Sequence, residues 1–130
     1  MSAAIRFFIC GSALHGQPDH AVLDGVTFLG EARTAPRYRL HSVNDAHPAV
    51  YLVANDGVSI AGELYELTPT QHEALLDQEP PGLYEDDVVL DDGSHARAML
   101  FPRALVEKNR YPDISKYGGW AAFKRSHQAS

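Results

Sequence analysis

Glu79 stands where proton-transfer chemistry would want a carboxylate. It ends the stretch TPTQHEALLDQE and is followed at once by Pro80-Pro81-Gly82, which cannot continue a helix. A carboxylate at such a boundary can sit at the rim of a cavity. Partial burial raises a carboxyl pKa from about 4.3 toward neutrality, where it can take and return protons. The bland alternative is a solvated glutamate at a helix end. The second feature is FFICGSALHG, residues 7–16, where an apolar run gives way to Gly11-Ser12-Ala13. Small residues directly after a strand let main-chain N–H groups face a carboxylate or an oxyanion, or they simply make a tight turn.

Other residue types invite chemistry less strongly. Cys10 and His15 match a nucleophile and its base, yet a lone cysteine ending an apolar strand reads as inert core. His15, Asp19 and His20 form one set of metal-ligating types, and His41, Asp45 and His47 another. Neither has a recognised ligand spacing, and no metal or other cofactor is expected. Arg33, Arg37 and Arg39 form a local basic cluster. Arg33 and Arg39 could reach a carboxylate-bearing substrate, but pairing with nearby acids is the simpler expectation in a chain of net charge -6. That charge also disfavours nucleic acid or an anionic membrane as a partner. The single cysteine forbids an intrachain disulfide and suits a reducing compartment. The opening MSAAIRFFICGSALHG is a poor match to a signal peptide and too short to span a bilayer, so the expected location is cytoplasmic.

The elements that must position these residues follow from the pattern. At 130 residues the chain suits one domain, residues 1–130. IRFFIC reads as a buried first strand, then a glycine-rich loop with a helical turn around Ala21. VTFLGEART and YRLHSV read as strands separated at Pro36, and AVYLV as another before the turn ANDG. VSIAGELYEL alternates, with Ser59, Ala61, Glu63, Tyr65 and Leu67 on one side; Gly62 within it implies a bulge or a close backbone approach. Thr68, Pro69 and Gln71 form a helix start with a capping box, and Thr70 with Glu73 offers a second box two residues later. LYEDDVVL, DDGS and HARAMLF make a hairpin. The tail PDISKYGGWAAFKRS reads as short helical turns capped by Asp113, with Trp120 and Phe123 docking on the body. The fold class is α+β: a mixed, curved sheet or small barrel with one main helix and a short helical C-terminal tail.

The order CGSAL, GELYEL, LLDQE, GLY resembles the γ-glutamylcyclotransferase family and its avirulence-induced-gene-type relatives. On that resemblance Glu79 is the catalytic acid/base, and Cys10, Gly11, Ser12, Ala13, Leu14 and Tyr84 hold the substrate. Gly62 and Tyr65 match the family's strand. Cys10 stands where the family usually has tyrosine. The implied reaction is internal acyl transfer on a small γ-glutamyl amide, releasing 5-oxoproline. LGEARTAPRYRL and DISKYGGWAAF are more specific, and they resemble the C-terminal domain of allophanate hydrolases, which has the same fold. This implies a free-standing relative acting on a small urea-derived carboxylate, with an amidase as a partner. That domain typically has histidine where this chain has Ala13 and lacks a glutamate at the position of Glu79. A third alternative is a non-catalytic domain binding a small carboxylate or a partner. The oligomeric state stays open.

Overall fold

The apolar run at the start of the chain becomes an interior strand. In the computed structural model, which describes residues 4–11, 13–17, 20–79 and 82–128, β1 (Ile5–Ile9) has a neighbour on each side. It pairs antiparallel with β5 (Ala61–Leu67), Ile9 opposite Glu63, and parallel with β7 (His95–Leu100). Covered on both faces, it needs no polar alternation, and Phe7, Phe8 and Ile9 are all buried. The order of the five-stranded mixed sheet is β2–β5–β1–β7–β6, with β2 (Thr27–Arg33) and β6 (Tyr84–Val89) at the edges. The expected β6–β7 hairpin forms, and Gly93 supplies the positive φ of its turn. β3 (Tyr38–Val43) and β4 (His47–Leu52) make a separate hairpin.

The sheet curls back on itself at one corner. Thr34, just past β2, bridges Leu90, just past β6. Ala35 N–H donates to the Val89 carbonyl and Asp91 N–H to the Arg33 carbonyl, each at 2.9 Å. The continuations of the two edge strands therefore meet, the start of a barrel closure. Phe101 N–H, beyond β7, donates to the Val50 carbonyl at 2.9 Å and ties the β3–β4 hairpin to the sheet.

Helix α1 (Pro69–Asp77) begins as its sequence demands. The Thr68 hydroxyl accepts from Gln71 N–H at 3.1 Å, and the Gln71 side chain accepts from Thr68 N–H at 2.9 Å. Leu75 anchors α1 on the core, and Gln78 caps its end. A second helix, α2 (Arg103–Asn109), was not expected from the sequence. Its N-cap Pro102 offers no side-chain acceptor, so no start signal exists. Its buried residue is Val106, which packs with Val43, Ala49, Tyr51 and Phe101 in a small core under the hairpin. The tail forms a 3-10 turn at Ser115–Tyr117 and then α3 (Trp120–Gln128). Asp113 Oδ1 accepts from Ser115 N–H at 2.8 Å, although the N-cap position of the turn is Ile114, one residue past the Asp113 expected. Trp120 and Phe123 are buried in the main core. Gly118 accepts from Ala61 N–H at 2.8 Å through its carbonyl, so the glycine pair lets the tail approach β5 closely. No helix among the described residues is long and apolar enough to cross a membrane.

Candidate functional site

The end of α1 delivers Glu79 to the end of β1. Glu79 is half-buried, its N–H donating to the Leu76 carbonyl at 3.2 Å as the helix unwinds. It lines a hollow of ≈ 50 Å³ together with Cys10, Gly11 and Ala13. The remaining lining comes from Phe7, Phe8 and Ile9 of β1, His47 and Pro48 of β4, Leu83 before β6, and Met99 of β7. Four separate stretches of chain therefore converge there.

Gly11 is a glycine for a packing reason. A Cβ at this position would lie 2.6 Å from Cδ and 2.7 Å from Cγ of Pro48. Gly11 is thus pressed against Pro48 of β4, and Leu14 N–H donates back to the Gly11 carbonyl at 3.1 Å. The loop is at once a tight turn and one wall of the hollow. Cys10 is buried, and its thiol is pushed up to about 12, first by desolvation and then by the charge of Glu79. It stays a thiol at neutral pH, which matches its reading as core rather than nucleophile.

The structure places the other candidates elsewhere. Ser12 and Asp19 lie outside the described residues. Leu14 is buried and lines a second cleft. Tyr84 begins β6 opposite Leu100, exposed, and is not among the residues around the Glu79 hollow. The described residues of the two metal-type sets have separate hydrogen-bond partners. His20 Nδ1 donates to the Ala13 carbonyl at 2.9 Å, His41 Nδ1 to the Tyr111 carbonyl at 2.9 Å, and His47 Nδ1 to the Pro48 carbonyl at 3.1 Å. Asp45 accepts from the Ser42 hydroxyl at 2.7 Å. Among the described residues no group of three or more His, Cys, Asp or Glu side chains could hold a metal ion. Arg39 pairs with Asp113 at 2.6 Å and donates to the Asp56 carbonyl at 2.8 Å, the structural pairing expected of the arginine cluster. Among the described residues Arg33 instead donates to the Ser59 carbonyl, at 3.5 Å, and it lines the second cleft.

One cluster was not recognised in the sequence. Glu63 accepts from His15 N–H (3.1 Å), from His15 Nδ1 (2.9 Å) and from the Tyr65 hydroxyl (2.9 Å). Burial, and then this hydrogen bond to Glu63, raises the pKa of the Tyr65 phenol. The strand alternation had put Glu63 and Tyr65 on one side. The histidine arrives from a loop far away in sequence, so no spacing rule marks it.

A half-buried glutamate lining a small hollow together with small residues is of the type that can move a proton on a small bound molecule. Comparison with known proteins agrees with this architecture. The chain is 25% identical over 129 residues to urea amidolyase of Saccharomyces cerevisiae, covering 94% of this chain and 7% of that protein. It thus spans a small fraction of the curated relative it matches. A crystal structure of a uropathogenic E. coli-specific protein superposes with a TM-score of 0.87 at 29% identity, covering 94% of this chain and 96% of that one. A γ-glutamyl cyclotransferase structure superposes with a TM-score of 0.56 at 16% identity, covering 85% and 70%, and shows that the fold is shared. The model of the allophanate hydrolase C-terminal domain matches residues 5–125, which takes in every strand and all but the end of α3, and the chain belongs to that family.

Proposed function

We propose that this chain acts on a small urea-derived carboxylate in the hollow at the end of β1, with Glu79 carrying the proton. The observation that supports this most is the meeting of Glu79 with Gly11 and Ala13 around so small a space. At ≈ 50 Å³ and partly open to solvent, the hollow seats a small group. A carboxylated urea is of that scale. The match to the allophanate hydrolase C-terminal domain favours it over a γ-glutamyl amide.

The chemistry fits the side chains present. When carbon dioxide leaves a carboxylated nitrogen, the C–N electron pair stays on nitrogen and needs a proton. A protonated Glu79 supplies it and is then recharged from solvent. Ala13 offers no ionisable group; His47 also lines the hollow, its Nδ1 donating to the Pro48 carbonyl, and the proton is assigned to Glu79. The main-chain N–H groups of Gly11 and Ala13 would serve the substrate's carboxylate.

γ-Glutamyl cyclotransfer is the second reading, favoured by the presence of a glutamate after α1. One experiment separates the two. Wild-type protein is given urea-derived carboxylates, with and without an amidase partner, and carbon dioxide is measured. In parallel it is given a panel of γ-glutamyl amines, and 5-oxoproline is measured. Carbon dioxide without 5-oxoproline is expected. Release of 5-oxoproline alone would establish the second reading, and a bound carboxylate with neither product would mark a binding domain.

A further inference from the structure

A second cleft, of ≈ 580 Å³, shares no lining residue with the Glu79 hollow. Its size is typical of small-molecule sites, roughly 300–1,000 Å³. The β2–β5 register builds its floor: Glu31 lies opposite Glu63, and Arg33 opposite Ala61. Residues opposite each other, and residues two apart on a strand, share a face, so Glu31, Arg33 and Glu63 look the same way. The loop after β1 adds His15, the chain beyond β6 adds Asp91, and α3 adds Arg125. Between them the tail contributes Gly118 and Gly119, whose missing side chains keep the space open.

Two features of this cleft point to a ligand. The first is the mounting of His15. Glu63, with a side chain only 13% exposed, accepts from both the main-chain N–H and the ring Nδ1 of His15. The ring is thereby fixed with Nδ1 toward the carboxylate, while 52% of the side chain remains exposed. Nε2 is left as its remaining polar atom, the arrangement by which a carboxylate orients a working imidazole. The second is charge. Arg33 and Arg125 line the same cleft as Glu31, Glu63 and Asp91. Among the described residues neither guanidinium makes an ion pair within 4.0 Å with any of these acids. A simple anion entering would meet three carboxylates, and a simple cation two guanidiniums. A molecule bearing both charges meets a partner for each.

We propose that this cleft binds a small zwitterion, an amino acid or short peptide, its carboxylate on Arg33 and Arg125 and its ammonium on Glu31 and His15 Nε2. Positions two apart on a strand are separated by about 7 Å. The two charges of an amino acid, each extended by a charge-assisted hydrogen bond of about 2.8 Å, span that gap.

The test is an NMR titration of the full chain at fixed ionic strength and pH, following the His15 ring and the Met99 methyl. Met99 lines the other hollow and reports on it separately. The probes are glycine and glycylglycine, with acetate and methylammonium for the single charges. Saturable shifts at His15 with glycine or glycylglycine, and a still Met99, are expected. Arg33→Gln and Glu31→Gln should each weaken binding at least fivefold, since both side chains are exposed and leave the fold intact. Glu79→Gln should leave the response unchanged, whatever the fate of the activity assigned to that residue. Equal saturation by acetate or methylammonium would overturn the zwitterion assignment. Linear, non-saturating shifts with every probe, or shifts at Met99 alone, would overturn the site.

Discussion

Gly11→Ala should destabilise the protein, and the reason can be isolated in a two-residue cycle. Gly11 does not have a positive φ. On conformational grounds alone alanine would therefore stabilise the fold by about 0.4–1 kcal/mol, through the unfolded chain. The new methyl, however, would sit 2.6 and 2.7 Å from two ring carbons of Pro48, against an ordinary carbon–carbon contact of about 3.5–4.0 Å. That ring cannot swing away, because Pro48 is buried in β4 opposite Ser42. Either the loop or the hairpin must move, an overpacking cost of about 1–3 kcal/mol. The net loss should lie between about zero and 2.6 kcal/mol. Pro48→Ala removes both contacted atoms. In that background Gly11→Ala should be neutral or slightly stabilising, giving a coupling of about 1–3 kcal/mol. Urea denaturation followed by the fluorescence of the single tryptophan, Trp120, measures all four proteins. Zero coupling would refute the claim that Pro48 dictates this glycine.

Three further outcomes are expected. Thr68→Ala removes half of the capping box at the start of α1 and should cost about 1 kcal/mol in the same denaturation assay. The Cys10 thiol, ordinarily near 9.0, is raised to about 12 in the fold. The unfolded chain therefore loses this proton first, so stability is full below pH 9 and declines from there toward pH 12, by up to about 1.4 kcal/mol per pH unit. Denaturation across that range should show the decline, flattened in Cys10→Ala though not abolished, because the raised Tyr65 phenol adds to it. Gly62→Ala should fail to fold or lose more stability than Gly11→Ala. Its Cβ would strike the Ile9 carbonyl and the Phe8 ring, and the carbonyl belongs to a paired strand that cannot yield; expression and thermal melting check this.

What the sequence showed was mostly local. Thr68, Pro69 and Gln71 announce α1 because a capping box is closed by residues three apart. DDGS announces the β6–β7 turn because glycine is needed there for its φ. Gly62 correctly signalled a close approach between backbones, and the bulge it might equally have meant lies instead in β2, between Phe28 and Gly30. Helix α2 was invisible because tertiary burial of Val106, not a cap or a long periodic face, holds it. The Glu79–Gly11 meeting rested on family resemblance. The rest of the hollow was not legible, since Pro48, Leu83 and Met99 reach it from distant stretches through the sheet order. The same holds for His15 and Glu63, brought together only when the loop after β1 folds over β5.

The turnover of Glu79→Gln, on whichever urea-derived carboxylate the wild type consumes, tests the central claim most directly. The exchange keeps the shape of the side chain and removes its proton. A positioned proton carrier contributes about 10²–10⁴-fold. The rate should fall by at least a hundredfold while the melting temperature stays within a few degrees of wild type. A variant that turns over as fast as the wild type would show that the proton comes from elsewhere.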